Sequence, residues 1–151
     1  MGKTIIQTIG PLYGEVVNGT VFGRPNGSVF VPNSNTITAT LDEEYRYIYK
    51  ANANTWRICD ENMQVLKDIE YVAESQDIAS NIQVDLFSDS DLTTRVAYRT
   101  LPAGQFNGTL RNLTSSETVT DGETYYLRLQ LVNNNVPVAT SAIIPIVGVA
   151  E

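Results

Sequence analysis

Tyr125-Tyr126-Leu127-Arg128-Leu129-Gln130-Leu131-Val132 alternates buried-type and polar side chains over its whole length. A period of two puts Tyr125, Leu127, Leu129 and Leu131 on one face and Tyr126, Arg128 and Gln130 on the other, which is the pattern of a half-buried strand. Shorter runs of the same kind lie upstream: Thr36 to Leu41, Thr55 to Cys59, Ile82 to Phe87, Arg95 to Arg99 and Gly108 to Leu113. Downstream, a turn at Asn133-Asn134-Asn135 leads to a last strand between Val136 and Val147. Pro137 and Pro145 remove ladder donors there, so an edge or a bulge is expected. The stretch from Asp60 to Ala73 fits a helix face and a strand about equally; a strand after Leu66 is the reading adopted. Many short strands and no long helical period indicate an all-β protein.

The turns support this. Asn18-Gly19, Asn26-Gly27 and Asn107-Gly108 each stand between apolar runs, and Asn-Gly tolerates the positive φ values of a type I′ hairpin turn. The first two predict a β-meander from Leu12 to Val31. Composition agrees, because 15 Val, 12 Ile and 16 Thr make the chain rich in β-branched side chains suited to pleated sheet.

The 151 residues are enough for a sizeable core. A net charge of −7, with cations scattered along the chain, argues against nucleic acid or an anionic membrane as partner. A lone cysteine, Cys59, excludes an internal disulfide and points to synthesis in a reducing cytoplasm. The first ten residues lack the apolar run of a signal peptide, and no segment reaches the ~20 apolar residues of a membrane span.

Val119-Thr120-Asp121-Gly122-Glu123-Thr124-Tyr125, followed by Leu127, Leu129 and Leu131, resembles the tyrosine-corner approach of immunoglobulin-like and fibronectin type III domains. The resemblance implies an immunoglobulin-like antiparallel β-sandwich in which the Tyr125 hydroxyl bonds back to upstream backbone and the leucines enter the core. Asp121 departs from it, standing where fibronectin-like domains often have proline. The Asn/Thr/Val-rich strands, the Gly-rich opening and the absence of histidine resemble, in style, accessory proteins of tailed-phage heads and tails. That implies a virion component such as a capsid decoration or tail protein, with other virion proteins or further copies of itself as partners. The expected organisation is an N-terminal β-meander arm over residues 1–58, serving assembly, and an immunoglobulin-like sandwich over residues 59–151.

With no histidine, the commonest general base and the commonest metal-binding nitrogen are both missing. Asp85, Asp89 and Asp91 have oxygen-ligand spacing, but Thr94 and Thr100 occupy the glycine and glutamate positions of a calcium loop. Of Glu15, Asp42, Glu43, Glu44, Asp60 and Glu61 most sit at turns, where solvated roles are commoner than a carboxylate pair for glycoside hydrolysis. The expectation is therefore no enzyme, no cofactor and no metal. Tyr45, Tyr47 and Tyr49, with Trp56 beside them and Phe22 and Phe30 in the arm, are the candidate binding residues. Three rings on one strand face fit a core, a protein interface or a stacking platform for surface glycan.

Overall fold

The long alternating run forms a strand of ten residues, Thr124–Asn133, and its length determines the architecture. The computed structural model describes residues 34–151, preceded by two short strands, β1 (Val16–Val17) and β2 (Thr20–Val21), paired antiparallel. The Asn26-Gly27 turn, the rest of the expected meander, Phe22 and Phe30 lie outside the described residues. Then follow β3 (Thr36–Thr40), a 3-10 turn (Glu43–Tyr45), β4 (Tyr47–Asn52), β5 (Thr55–Cys59), β6 (Ile69–Glu74) and β7 (Asn81–Phe87). After them come β8 (Arg95–Leu101), β9 (Asn107–Leu110), β10 (Asn112–Thr114), β11 (Thr124–Asn133), β12 (Val136–Thr140) and β13 (Ile144–Gly148). The all-β expectation holds, and β6 supplies the strand expected after Leu66.

The immunoglobulin-like sandwich does not hold. β11 bonds to β7 along one edge and to β13 and then β12 along the other, and β13 bonds to β4. The order β11-β13-β4-β5-β10-β8-β7 returns to β11, a closed seven-strand barrel, with β12 attached beside β13. Two separate sheets would each keep free edges, whereas closure removes them. An odd ring cannot be antiparallel throughout, because each antiparallel step reverses strand direction. One parallel step is required, and β13–β4 is it, with Val147 opposite Tyr47 and Gly148 opposite Ile48. The backbone bonds from Val147 N–H to Arg46 O (3.0 Å) and from Val149 N–H to Ile48 O (2.9 Å) make that step.

A three-stranded sheet, β3-β6-β9, packs on the barrel, and its Ile37, Ile69, Tyr71, Ala73 and Leu110 join the same buried cluster. Only Arg111 separates β9 from β10, so one stretch of chain serves both sheets. The expected boundary between residues 58 and 59 falls inside β5, whose partners β4 and β10 come from either side of it.

The barrel is filled. Ile48, Trp56, Ile58, Val84, Leu86, Leu127, Leu129, Leu131 and Ile146 are all fully buried in one continuous cluster. The Trp56 and Tyr125 rings meet edge to face at 5.2 Å. The Tyr125 hydroxyl accepts from Thr120 N–H at 3.0 Å, tying the strand to the turn before it.

Three local expectations are corrected. Asn107-Gly108 lies within β9 and is no hairpin turn; the chain reverses at Pro102 to Gln105, with Gly104 at φ 83°. Gly108 is needed for space and conformation, since its φ is 154° and an added Cβ would stand 3.1 Å from the Tyr71 hydroxyl. The last strand divides into β12 and β13, and Pro145 precedes the β13–β4 pairing, so its missing N–H breaks no bond there. Tyr45 ends the 3-10 turn and leaves only Tyr47 and Tyr49 in β4.

Candidate functional site

Strand parity sorts the candidate aromatics. Ile48 is fully buried, so Tyr47 and Tyr49 on either side of it face outward and are half-buried. Across β5, Tyr49 stands opposite Arg57 and Tyr47 opposite Cys59. Trp56 has the opposite parity: it is wholly enclosed, its indole N–H donating to Glu117 O at 2.9 Å, and it belongs to the core. The structure thus separates Trp56 from the tyrosines that the sequence grouped with it.

Tyr49 lines an open groove of about 540 Å³ together with Lys50, Asn62, Met63, Thr118, Val119, Val149, Ala150 and Glu151. The turn on one side is built by Asp60, whose Oδ1 accepts from the Asn62 and Gln64 N–H groups, both at 2.8 Å. That turn holds Met63 at φ 62°, a left-handed conformation costing a side-chain-bearing residue about 1–2 kcal/mol. Lys50 is fixed by its Nζ donating to Glu117 O (2.7 Å) and Ala53 O (3.2 Å). Sequence reading found Tyr49 but not Met63, because no residue-type signal marks a methionine forced to positive φ.

A second surface was missed entirely. The register places Gln130, Gln83 and Thr100 in one row across β11, β7 and β8, then Arg128, Asp85 and Tyr98, then Tyr126, Phe87 and Arg95. Asp85 is only 4% exposed although it lies on the outer wall, because two arginines close over it. Arg95 Nη1 donates to Asp85 Oδ1 and Arg128 Nη2 to Oδ2, each at 3.2 Å. Gln83 Nε2 adds a bond to Oδ1 at 3.1 Å. The guanidinium of Arg128 lies 4.9 Å from the centre of the Phe87 ring, and that of Arg95 4.7 Å from the Tyr98 ring.

Several other acids are engaged within the protein, Asp68 by Arg111 and Asp60 by the turn it closes. Asp89 accepts from the Thr93 hydroxyl and from the N–H groups of Thr93 and Thr94, contacts that hold its carboxyl below the usual range. Among the described residues, no three metal-ligating side chains converge.

Cys59 is buried, and burial, with Asp60 adding to it, pushes the thiol up to about 12. Thiolate attack needs the deprotonated form, so Cys59 should resist a soluble thiol reagent at pH 8 until the chain unfolds. Stability linked to this group is complete below the ordinary thiol value near 9 and is lost as pH rises towards 12. Tyr71, also raised by burial, acts in the same direction. Denaturant titrations of wild type and Cys59→Ala from pH 8 to 11 should show a shallower alkaline decline in the variant.

No family model matches the chain, and no curated protein does. A solved structure that resembles it is the FMN-binding beta-glucuronidase from Facaelibacterium prausnitzii L2-6, at 14% identity and a TM-score of 0.43. The likeness covers 80% of this chain and 17% of that one, so the chain spans about a sixth of the enzyme's length. It falls on an enzyme and gives no support to kinship with phage proteins. Neither the expected non-enzyme nor the expected phage kinship is borne out by it, and a likeness this slight carries neither FMN nor glucuronidase chemistry to the chain. Among the described residues, no helix is long and apolar enough to cross a membrane.

Proposed function

We propose that the described part of the chain is a binding module that takes a segment of another protein into the groove beside β4. The observation that carries this reading is Met63: it is held in an unfavourable backbone conformation, and it lines the groove with Tyr49. Strain at an exposed turn persists where the surrounding structure over-determines it, and such sites cluster at ligand contacts. Methionine is also the side chain that best adapts to an irregular apolar partner, and tyrosine is among those enriched at interface centres. The filled barrel supports the same reading, since a ligand has to meet the outer surface. A volume of about 540 Å³ suits one or two anchoring side chains of an extended segment.

Selection of a surface-displayed random peptide library on the folded protein tests this. The selected peptides should share apolar anchors, and Tyr49→Ala should weaken them about tenfold or more. Met63→Gly should weaken them likewise while leaving stability unchanged or slightly higher, because glycine relieves the positive φ. Failure of the selected sequences to converge, or equal binding by both variants, would contradict the proposal. Convergence on oligosaccharides in a parallel glycan array, lost on Tyr49→Ala, would replace the protein partner with a sugar.

A further inference from the structure

The wall of β7, β8 and β11 lies apart from the groove and has a chemistry of its own. Arg95 and Arg128 share the single carboxylate of Asp85, which leaves one positive charge on the wall of a chain whose net charge is −7. Each guanidinium has five donors, and Asp85 engages one from each. Both are stacked on aromatic rings, so little side-chain freedom remains to be lost on binding. Arg128 Nε is sealed from solvent with no acceptor, so part of the cost of drying that guanidinium has been met before any partner arrives. Tyr98, 41% exposed, offers a ring beside them.

We infer that this wall recognises a carboxylate presented by an acidic segment of a protein partner, with Arg95 and Arg128 as the donors and Tyr98 as the adjoining contact. Asp85 is the positioning residue: it aligns both guanidiniums and keeps the wall from becoming a strong general anion site. Strand spacing makes the three rows roughly 10 by 13 Å, enough for two or three side chains of an extended peptide. Arginine and tyrosine are also the residue types that most often dominate such contacts.

The test is a titration of the folded chain with hexaglutamate and, as control, hexaglutamine, followed through the arginine side-chain NMR signals. Saturable shifts of Arg95 and Arg128 with hexaglutamate alone are expected. Arg95→Gln, at a half-exposed position where the fold should survive, should weaken the response about tenfold. Asp85→Asn, in samples shown to be folded, should strengthen it. Tyr49→Ala should leave it unchanged, which separates this wall from the groove. An equal response to hexaglutamine, an unaltered response in Arg95→Gln, or the same shifts at the same affinity with inorganic phosphate would each overturn the inference.

Discussion

Trp56→Ala is expected to cost about 3–5 kcal/mol and to lower Tm by roughly 6–20 °C. The side chain is the largest that is fully buried, and its ring packs edge to face on Tyr125 across the barrel core. Alanine would remove that contact and leave a cavity that β5, held on both sides by β4 and β10, has little freedom to close. The hydrogen bond is a smaller part of the loss, because Glu117 O also accepts from Lys50 Nζ. Trp56→Phe should therefore cost markedly less than Trp56→Ala in the same thermal or denaturant titration. A loss below about 1 kcal/mol for alanine would mean that Trp56 is not enclosed.

Gly148→Ala is expected to cost about 3 kcal/mol, at the upper end of overpacking effects. An added Cβ would collide with the carbonyl oxygen of Thr120 and stand 2.9 Å from Val119 Cγ1 and 3.0 Å from Tyr125 Cε2. The first obstacle is backbone, which no side-chain rotation relieves. Gly148 also receives a bond from Gly122 N–H (2.9 Å) and donates to Glu123 O (2.8 Å), so the turn before β11 would move with it. Gly122→Ala is the matched control: nothing lies within 4 Å of its Cβ, and only the φ of 82° is strained. That variant should lose about 1–2 kcal/mol, and denaturation curves that ranked the two the other way round would contradict the packing described here.

The contrast between these two glycines shows what was legible in the sequence. Gly122 follows Asp121 just before an alternating run, so its turn could be read directly. Gly148 is required by residues 119, 120 and 125, which local pattern does not bring near it. The same holds for the strands. Thr55–Cys59 and the cores of β7, β8 and β11 were readable, because alternation reports which side chains face in. Alternation does not report which strand lies alongside. Closure depends on a parallel step joining β13 to β4, about a hundred residues apart, and nothing local distinguishes it from the edges of a sandwich. Asn107-Gly108 misled for a related reason: the tertiary approach of Tyr71 overrode the turn preference of the dipeptide.

The candidate surfaces divide in the same way. Tyr47 and Tyr49 are legible because they alternate with a buried residue, whereas for Trp56 the sequence leaves core and surface open and strand parity places it in the core. Arg128, Asp85 and Arg95 each occupy outward positions that alternation allows. Only the lateral register brings them together, with Asp85 opposite Arg128 on one side and Tyr98 on the other.

Closure of the ring is what fills the interior and confines binding to the outer wall and groove. Scalar couplings transmitted across hydrogen bonds detect it directly in an NMR experiment on the labelled protein. Cross-peaks linking Val147 N to the Arg46 carbonyl carbon and Val149 N to the Ile48 carbonyl carbon are expected, with slow exchange of both amides. Absence of both cross-peaks, with those amides exchanging as fast as exposed loop positions, would contradict the closed barrel.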